Sequence, residues 1–167
     1  MIGMTVTIKG LEEAVKTFQN ADKIIQAEFK TAMNKSVLKV AAAAKKAAPV
    51  GVSGELRASI SGKVTPMGAH DVEGRVGSPL PYATYVELGT RPHYPPLEPL
   101  VLWVQRKLSP ANDWQAVMIA RAIQLKIGRI GTKGVKFFEA AIESTEDDIN
   151  GYFDAALDKI VERLAKE

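Results

Sequence analysis

Polar and apolar positions alternate at Thr5-Val6-Thr7-Ile8, the two-residue period of a strand with one buried face, and Gly10 closes it. From Leu11 the period becomes helical. Leu11, Ala14, Val15, Phe18, Ile24, Ile25, Phe29, Ala32, Met33, Val37, Val40, Ala41 and Ala44 fall on one stripe, and Glu12, Lys16, Lys23, Lys30 and Lys39 fall mostly elsewhere. Asn20-Ala21-Asp22 predicts a break, with Asp22 capping a longer second piece that runs to Ala48 and stops at Pro49. The alanine-rich end of that helix suits close packing, first within the chain and otherwise against another subunit.

A Pro-Gly loop over 49–54 follows, then order resumes at Glu55. Residues 60–64 and 72–76 read as an antiparallel pair around a turn at Thr65-Pro66-Met67-Gly68-Ala69, with Val72 and Val76 facing one way. For 82–88 two patterns compete. As a helix, Pro81 sits at its start, Tyr82, Tyr85 and Val86 share a face, and Gly89 ends it in the left-handed region; as a strand, Tyr82, Thr84, Val86 and Leu88 share one. The terminal residues favour the helix. Beyond Pro99 a short amphipathic helix carries Leu100, Val101, Trp103, Val104 and Leu108 to Ser109-Pro110. Asn112 or Asp113 caps a further helix over 114–127, with Val117, Ala120, Ile123 and Ile127 on one face and Gly128 and Gly131 ending it. After a tight Gly131-Thr132-Lys133-Gly134 loop, Thr145 with Asp148 three residues on caps a last helix bearing Ile149, Phe153, Ala156, Ile160 and Leu164. The echo of Gly89-Thr90 in Gly131-Thr132 is too short to count as a repeat. The expected class is α+β: a small antiparallel sheet packed by a long N-terminal helix and several C-terminal helices, in one domain over 1–167.

Composition narrows function mainly by exclusion. The chain has no cysteine, which removes disulfides, thiolate nucleophiles and cysteine-held zinc. A net charge of +3 permits contact with nucleic acid or an acidic protein without requiring either. Residues 1–5 lack the form of a signal peptide, and the apolar run 37–50 is interrupted by Lys39, Lys45 and Lys46 and too short to span a bilayer. The expectation is a soluble chain that contacts no membrane.

Special residues concentrate in 82–96, which holds three tyrosines, a carboxylate, a Gly-Thr turn, an arginine, a histidine and closely spaced prolines. A catalytic reading of it fails on inventory. His93 has Glu87 six residues before it, but two ligands without a third make a poor metal site, and His70 is a loop histidine beside Asp71. Ser53 lacks a strand-to-helix elbow, and no glycine cluster has phosphate-loop spacing. Glu146, Asp147 and Asp148 complement a helix start. Lys35, Lys39, Lys45 and Lys46, and the group Lys126, Arg129, Lys133 and Lys136, lack the interleaved aromatics of nucleic-acid binders and read as solvated faces and helix ends. No catalytic residue, metal ligand or cofactor is expected. The stiff segment Arg91-Pro92-His93-Tyr94-Pro95-Pro96 is left open between a docking arm and a connecting loop. The candidate interface is Tyr82, Tyr85, Glu87, Arg91, His93, Tyr94, Pro95 and Pro96, with Glu87 and Arg91 as candidates for a salt bridge or subunit contact.

Four short motifs in order carry a family likeness. They are Ala47-Ala48-Pro49-Val50 at a long helix end, Ser53-Gly54-Glu55-Leu56-Arg57-Ala58-Ser59-Ile60, Val76-Gly77 with Tyr82-Ala83-Thr84-Tyr85-Val86-Glu87-Leu88-Gly89-Thr90, and Phe137-Phe138-Glu139-Ala140-Ala141-Ile142. In this the chain resembles the tail-component or tail-completion proteins of long-tailed phages, similar to the lambda-type minor tail protein Z. One departure is that a helical insertion over 91–130 separates the Gly-Thr turn from the closing motif. The resemblance implies a non-enzymatic virion protein at the neck, where tail meets head, touching neighbouring neck and tail proteins. It further implies a homo-oligomeric ring, a hexamer foremost, assembled in the host cytoplasm, with DNA contact only through a channel lining. The alternative function is a small basic DNA-binding or packaging accessory protein.

Overall fold

The computed structural model describes residues 11–51, 53–66 and 72–166, with side chains from Ala21 onward. The strand expected at Thr5-Val6-Thr7-Ile8, His70 and most of the turn after Pro66 lie outside the described residues. The chain divides into two compact units, one of residues 1–39, 62–76 and 145–167, the other of 40–61 and 77–144.

In the first unit the main helix is α1 (Leu11–Ala47), which continues from 40 into the second unit. It runs without the break expected at Asn20-Ala21-Asp22. Asn and Asp inside a helix cost at most about 0.7 kcal/mol each, whereas a break would create two more ends with unsatisfied backbone groups. The last helix, α7 (Glu146–Leu164), lies antiparallel to α1. Glu28 meets Arg163 at 2.8 Å, the rings of Phe29 and Phe153 lie 6.1 Å apart, and Lys39 meets Asp148 at 2.8 Å, so numbers rise on one helix as they fall on the other. Ile24, Ala32, Val37, Ala156 and Ile160 are buried here. Thr145 holds the N-cap position of α7, but its side chain does not bond the first turn, and Asp148 turns to Lys39 instead of closing a capping box.

The expected strand pair is present as β1 (Ser61–Pro66) and β2 (Val72–Gly77), hydrogen-bonded in a two-stranded sheet. A connection as short as 67–71 admits only the antiparallel arrangement. The ladder lies directly on α1: a Cβ at Gly62 would overlap Val37, and one at Gly74 would overlap Met33 and Val37. Small residues at these sites set the helix-to-sheet distance.

In the second unit, Ala41, Ala44 and Ala48 at the α1 end are buried, as are Leu56 of α2 (Glu55–Ser59) and its C-cap Ile60. Arg57 of α2 donates from Nε to the Ala48 carbonyl (2.7 Å) and from its guanidinium to the Lys46 carbonyl (3.3 Å). A cation thereby satisfies carbonyls that the helix end leaves open. The Ser59 and Ser78 hydroxyls share a bond of 2.7 Å. The helix expected in 82–88 is α3 (Ala83–Leu88), and Gly89 follows it as β3 (Gly89–Thr90).

Beyond β3 stand α4 (Leu97–Leu108) and α5 (Asp113–Ile130), packed on each other around Val104, Ala116 and Ala120. Leu97, Leu100, Val101, Ile119 and Ile123 surround that centre. The buried stripe of α5 therefore runs through Ala116 and Ala120, not through Val117, which is exposed. Asn112 is the cap, accepting from the Gln115 amide at 2.9 Å, while the Gln115 side chain accepts from the Ala111 amide at 2.7 Å. Gly128 does not end α5; it lies within the helix, and Gly131 is the C-cap. The expected loop 131–134 contains a strand, β4 (Thr132–Lys133), followed by α6 (Phe137–Glu143).

Candidate interaction site

The residues singled out in 82–96 are organised by the pairing of β3 with β4. Gly89 faces Lys133 and Thr90 faces Thr132 in antiparallel register, so the threonines of the two Gly-Thr turns are partners in one ladder. The Thr90 and Thr132 hydroxyls lie 2.9 Å apart, and the Thr132 amide donates to the Thr90 hydroxyl at 3.2 Å. Gly89 has φ +84° and ψ −176°, a conformation with positive φ but extended ψ that only glycine adopts readily, rather than the left-handed helical cap expected. Its missing Cβ also makes room for the Thr132 carbonyl. The ladder continues as two bonds from the Val135 amide to the Val86 carbonyl (2.8 Å) and from the Lys136 amide to the Glu87 carbonyl (3.1 Å).

Glu87 is spent inside this assembly. Its carboxylate accepts from the Phe138 amide at 3.0 Å and from the Glu139 amide at 3.2 Å. It caps the start of α6 and holds the Phe137-Phe138 pair, whose rings sit 4.5 Å apart with Phe137 fully buried. Glu87 makes no ion pair with Arg91. It also does not converge with His93, whose Nδ1 lies 2.9 Å from the Arg91 carbonyl. Among the described residues no group of three or more His, Asp or Glu side chains is placed to hold a metal ion.

The stiff segment is tied to α5. The His93 amide donates to the Ile127 carbonyl (3.3 Å), and the Gln124 side chain donates to the Pro95 carbonyl (2.7 Å). Tyr94 lies against Gly128, where any Cβ would overlap the ring. That contact explains a glycine inside a helix, which costs about 1 kcal/mol relative to alanine. Pro96 is the N-cap of α4.

What remains presented to the outside is apolar. A groove of about 620 Å³ is lined by Thr84, Tyr85, Leu88, Arg91, Pro92 and His93. Tyr85 is 61% exposed and Leu88 73% exposed, so two large side chains stand in water with no partner helix over them. A second groove, of about 370 Å³, runs between Tyr82, Val86, Leu56 and Trp103. The structure thus brings Tyr85, Arg91 and His93 to one groove, puts Tyr82 in another, and gives Glu87, Tyr94 and Pro95 internal bonds or contacts. Sequence reasoning missed Arg57 and Gln115 as end-capping residues. For Gln115 the signal was present as Asn112-x-x-Gln115, whereas nothing local marks Arg57.

No helix among the described residues is long and apolar enough to cross a membrane. No curated protein and no solved structure matches the chain. Residues 12–89 match the family model described as "Bacteriophage HK97-gp10, putative tail-component". The matched span ends at Gly89, the first residue of the β3–β4 ladder. Within it fall Arg57 closing the α1 end and α3 with Glu87, the parts that hold the second unit together. Over residues 12–89 the chain is thus similar to the HK97-gp10-like family of phage tail components.

Proposed function

We propose that this protein is a phage tail component, a non-enzymatic structural protein that completes the tail at the neck and works through protein–protein contacts in an oligomeric ring. The observation that carries the reading is the family match over 12–89. Supporting it, the groove at Tyr85 and Leu88 exposes apolar surface of the kind that protein partners cover. In this reading the groove, with Arg91 and His93 at its rim and Tyr82, Tyr94 and Pro96 nearby in sequence, meets a neighbouring neck or tail protein. The protein resides in the virion after assembly in the host cytoplasm, and a hexameric ring is the form the family likeness implies.

The domain reading follows from the same place. Residues 91–130 are proposed as a helical insertion, because the family match stops at Gly89 and the chain returns to pair with Gly89 and Thr90 at Thr132 and Lys133. Electron microscopy of virions labelled on this protein tests the functional reading. Label at the junction of head and tail is expected; label over the capsid shell, or none on the particle, overturns it.

A further inference from the structure

Helix α5 is apolar on two sides. One side packs on α4 through Ala116, Ala120 and Ile123. On the other, Trp114 (72% exposed), Met118 and Leu125 fall at i, i+4 and i+11, one stripe of a helix turning about 100° per residue. Arg121 and Arg129 lie in the same stripe, are exposed, and form no ion pair among the described residues. A surface helix ordinarily keeps one apolar face, so a second one signals a further contact.

Helix α7 carries the counterpart. Its buried side holds Ala156 and Ile160, while Leu157 and Val161 (67% exposed) form an apolar pair one turn apart on the outside. Asp154 and Asp158 flank that pair; both are exposed and neither is in an ion pair among the described residues. Three other charges on α7 are already engaged, Asp148 with Lys39, Glu162 with Lys166 and Arg163 with Glu28, while Lys159 beside Asp158 is exposed and in no ion pair among the described residues. The two helices have nearly the same length, 18 and 19 residues. One thus offers an apolar stripe with two unpaired arginines, and the other an apolar pair with two unpaired aspartates.

We infer that the outer face of α5 docks on the outer face of α7 of a second copy of this chain. Charge complementarity selects the occupant: the unpaired arginines of one face and the unpaired aspartates of the other are opposite in sign, and both faces carry exposed apolar side chains. The contact uses two different surfaces, so each copy keeps one of each free and copies join head to tail, the kind of contact that builds a ring when its rotation closes. Burying Trp114, Met118 and Leu125 against Leu157 and Val161 supplies the apolar centre, while the arginine–aspartate pairs set register and direction. This deepens the ring reading above and rests on it.

Charge reversal tests the pairing in the full chain. Arg121→Glu with Arg129→Glu, and separately Asp154→Lys with Asp158→Lys, are followed by sedimentation velocity over a range of protein concentrations, with far-ultraviolet circular dichroism as the folding control. Each reversal alone is expected to weaken association of the unmodified chain at least tenfold, and the four-substitution chain to regain most of it. An unmodified chain that associates while both reversals leave it unchanged overturns this contact and leaves the ring reading standing. Loss in both reversals without recovery in the combination also overturns the contact. A chain that stays monomeric at every concentration overturns the contact and the ring together.

Discussion

Thr90 and Thr132 meet hydroxyl to hydroxyl at 2.9 Å although 42 residues separate them in the chain. Between them stands the whole α4–α5 hairpin, and on either side the backbone pairing extends to Val86 with Val135 and Glu87 with Lys136. The hairpin is thus sewn shut at its base. An element closed in this way can be added to a fold or removed from it with little consequence for the residues outside the stitch.

The stitch is expected to depend on Gly89 and Gly131, which have φ of +84° and +71° and no room for a Cβ. Gly89→Ala or Gly131→Ala combines a strained backbone, about 1–3 kcal/mol, with overlap of carbonyl oxygens across the ladder. Urea unfolding should show either variant losing at least that much. Gly51→Ala, which has open space around it, should change stability by less than about 0.5 kcal/mol.

Glu87→Ala removes both bonds to the Phe138 and Glu139 amides and leaves the start of α6 uncapped. The expected cost is about 1–3 kcal/mol, as for charge-assisted bonds to a helix terminus. Glu87→Gln keeps one acceptor and should lose less. Denaturant midpoints with unchanged slope would check the ranking, and equal loss in the two variants would count against the cap.

Gly128→Ala sets two effects against each other. Helix propensity gains about 1 kcal/mol, but the new methyl displaces the Tyr94 ring. The ring is a free-ended side chain, so the fold should survive while the 91–96 segment loosens. Hydrogen exchange at the His93 amide, now bonded to Ile127, is expected to quicken. In a Tyr94→Ala background the same substitution should be stabilising, which a double-mutant cycle would read directly.

The Lys39–Asp148 pair gives a pH signature. Hydrogen bonding and charge from Asp148 raise the Lys39 pKa above its ordinary 10.5. A raised lysine pKa means the pair contributes below about 10.5 and is lost as pH rises through the higher folded value. Both groups are solvent-exposed in part, so the effect is small and salt-screened. Stability followed from pH 9 to 12 should fall less steeply in Asp148→Asn than in the unmodified chain, and the difference should shrink in high salt.

Much of the outline was legible because it rests on local signals. Pro49 stops a helix, Gly131 ends another, Asn112 begins one, and alternation at Val72 and Val76 marks a strand, each acting within a few residues of itself. Where local signals misled, packing had overruled them. Asp22 does not cap because α1 continues through it, and Gly128 does not stop α5 because Tyr94 uses the space its side chain would fill.

By itself, then, the sequence determined the helices and the strand pair, the family likeness, and the lack of any recognisable catalytic motif. Tertiary structure alone decided what Glu87 does, that Gly89-Thr90 pairs with Thr132-Lys133 in one ladder, and which faces of α5 and α7 stay uncovered. The physical reason is range. Periodicity and end signals act over one or two turns, whereas the bonds from Phe138 and Glu139 to Glu87 span 51 and 52 residues and leave no periodic trace in the chain.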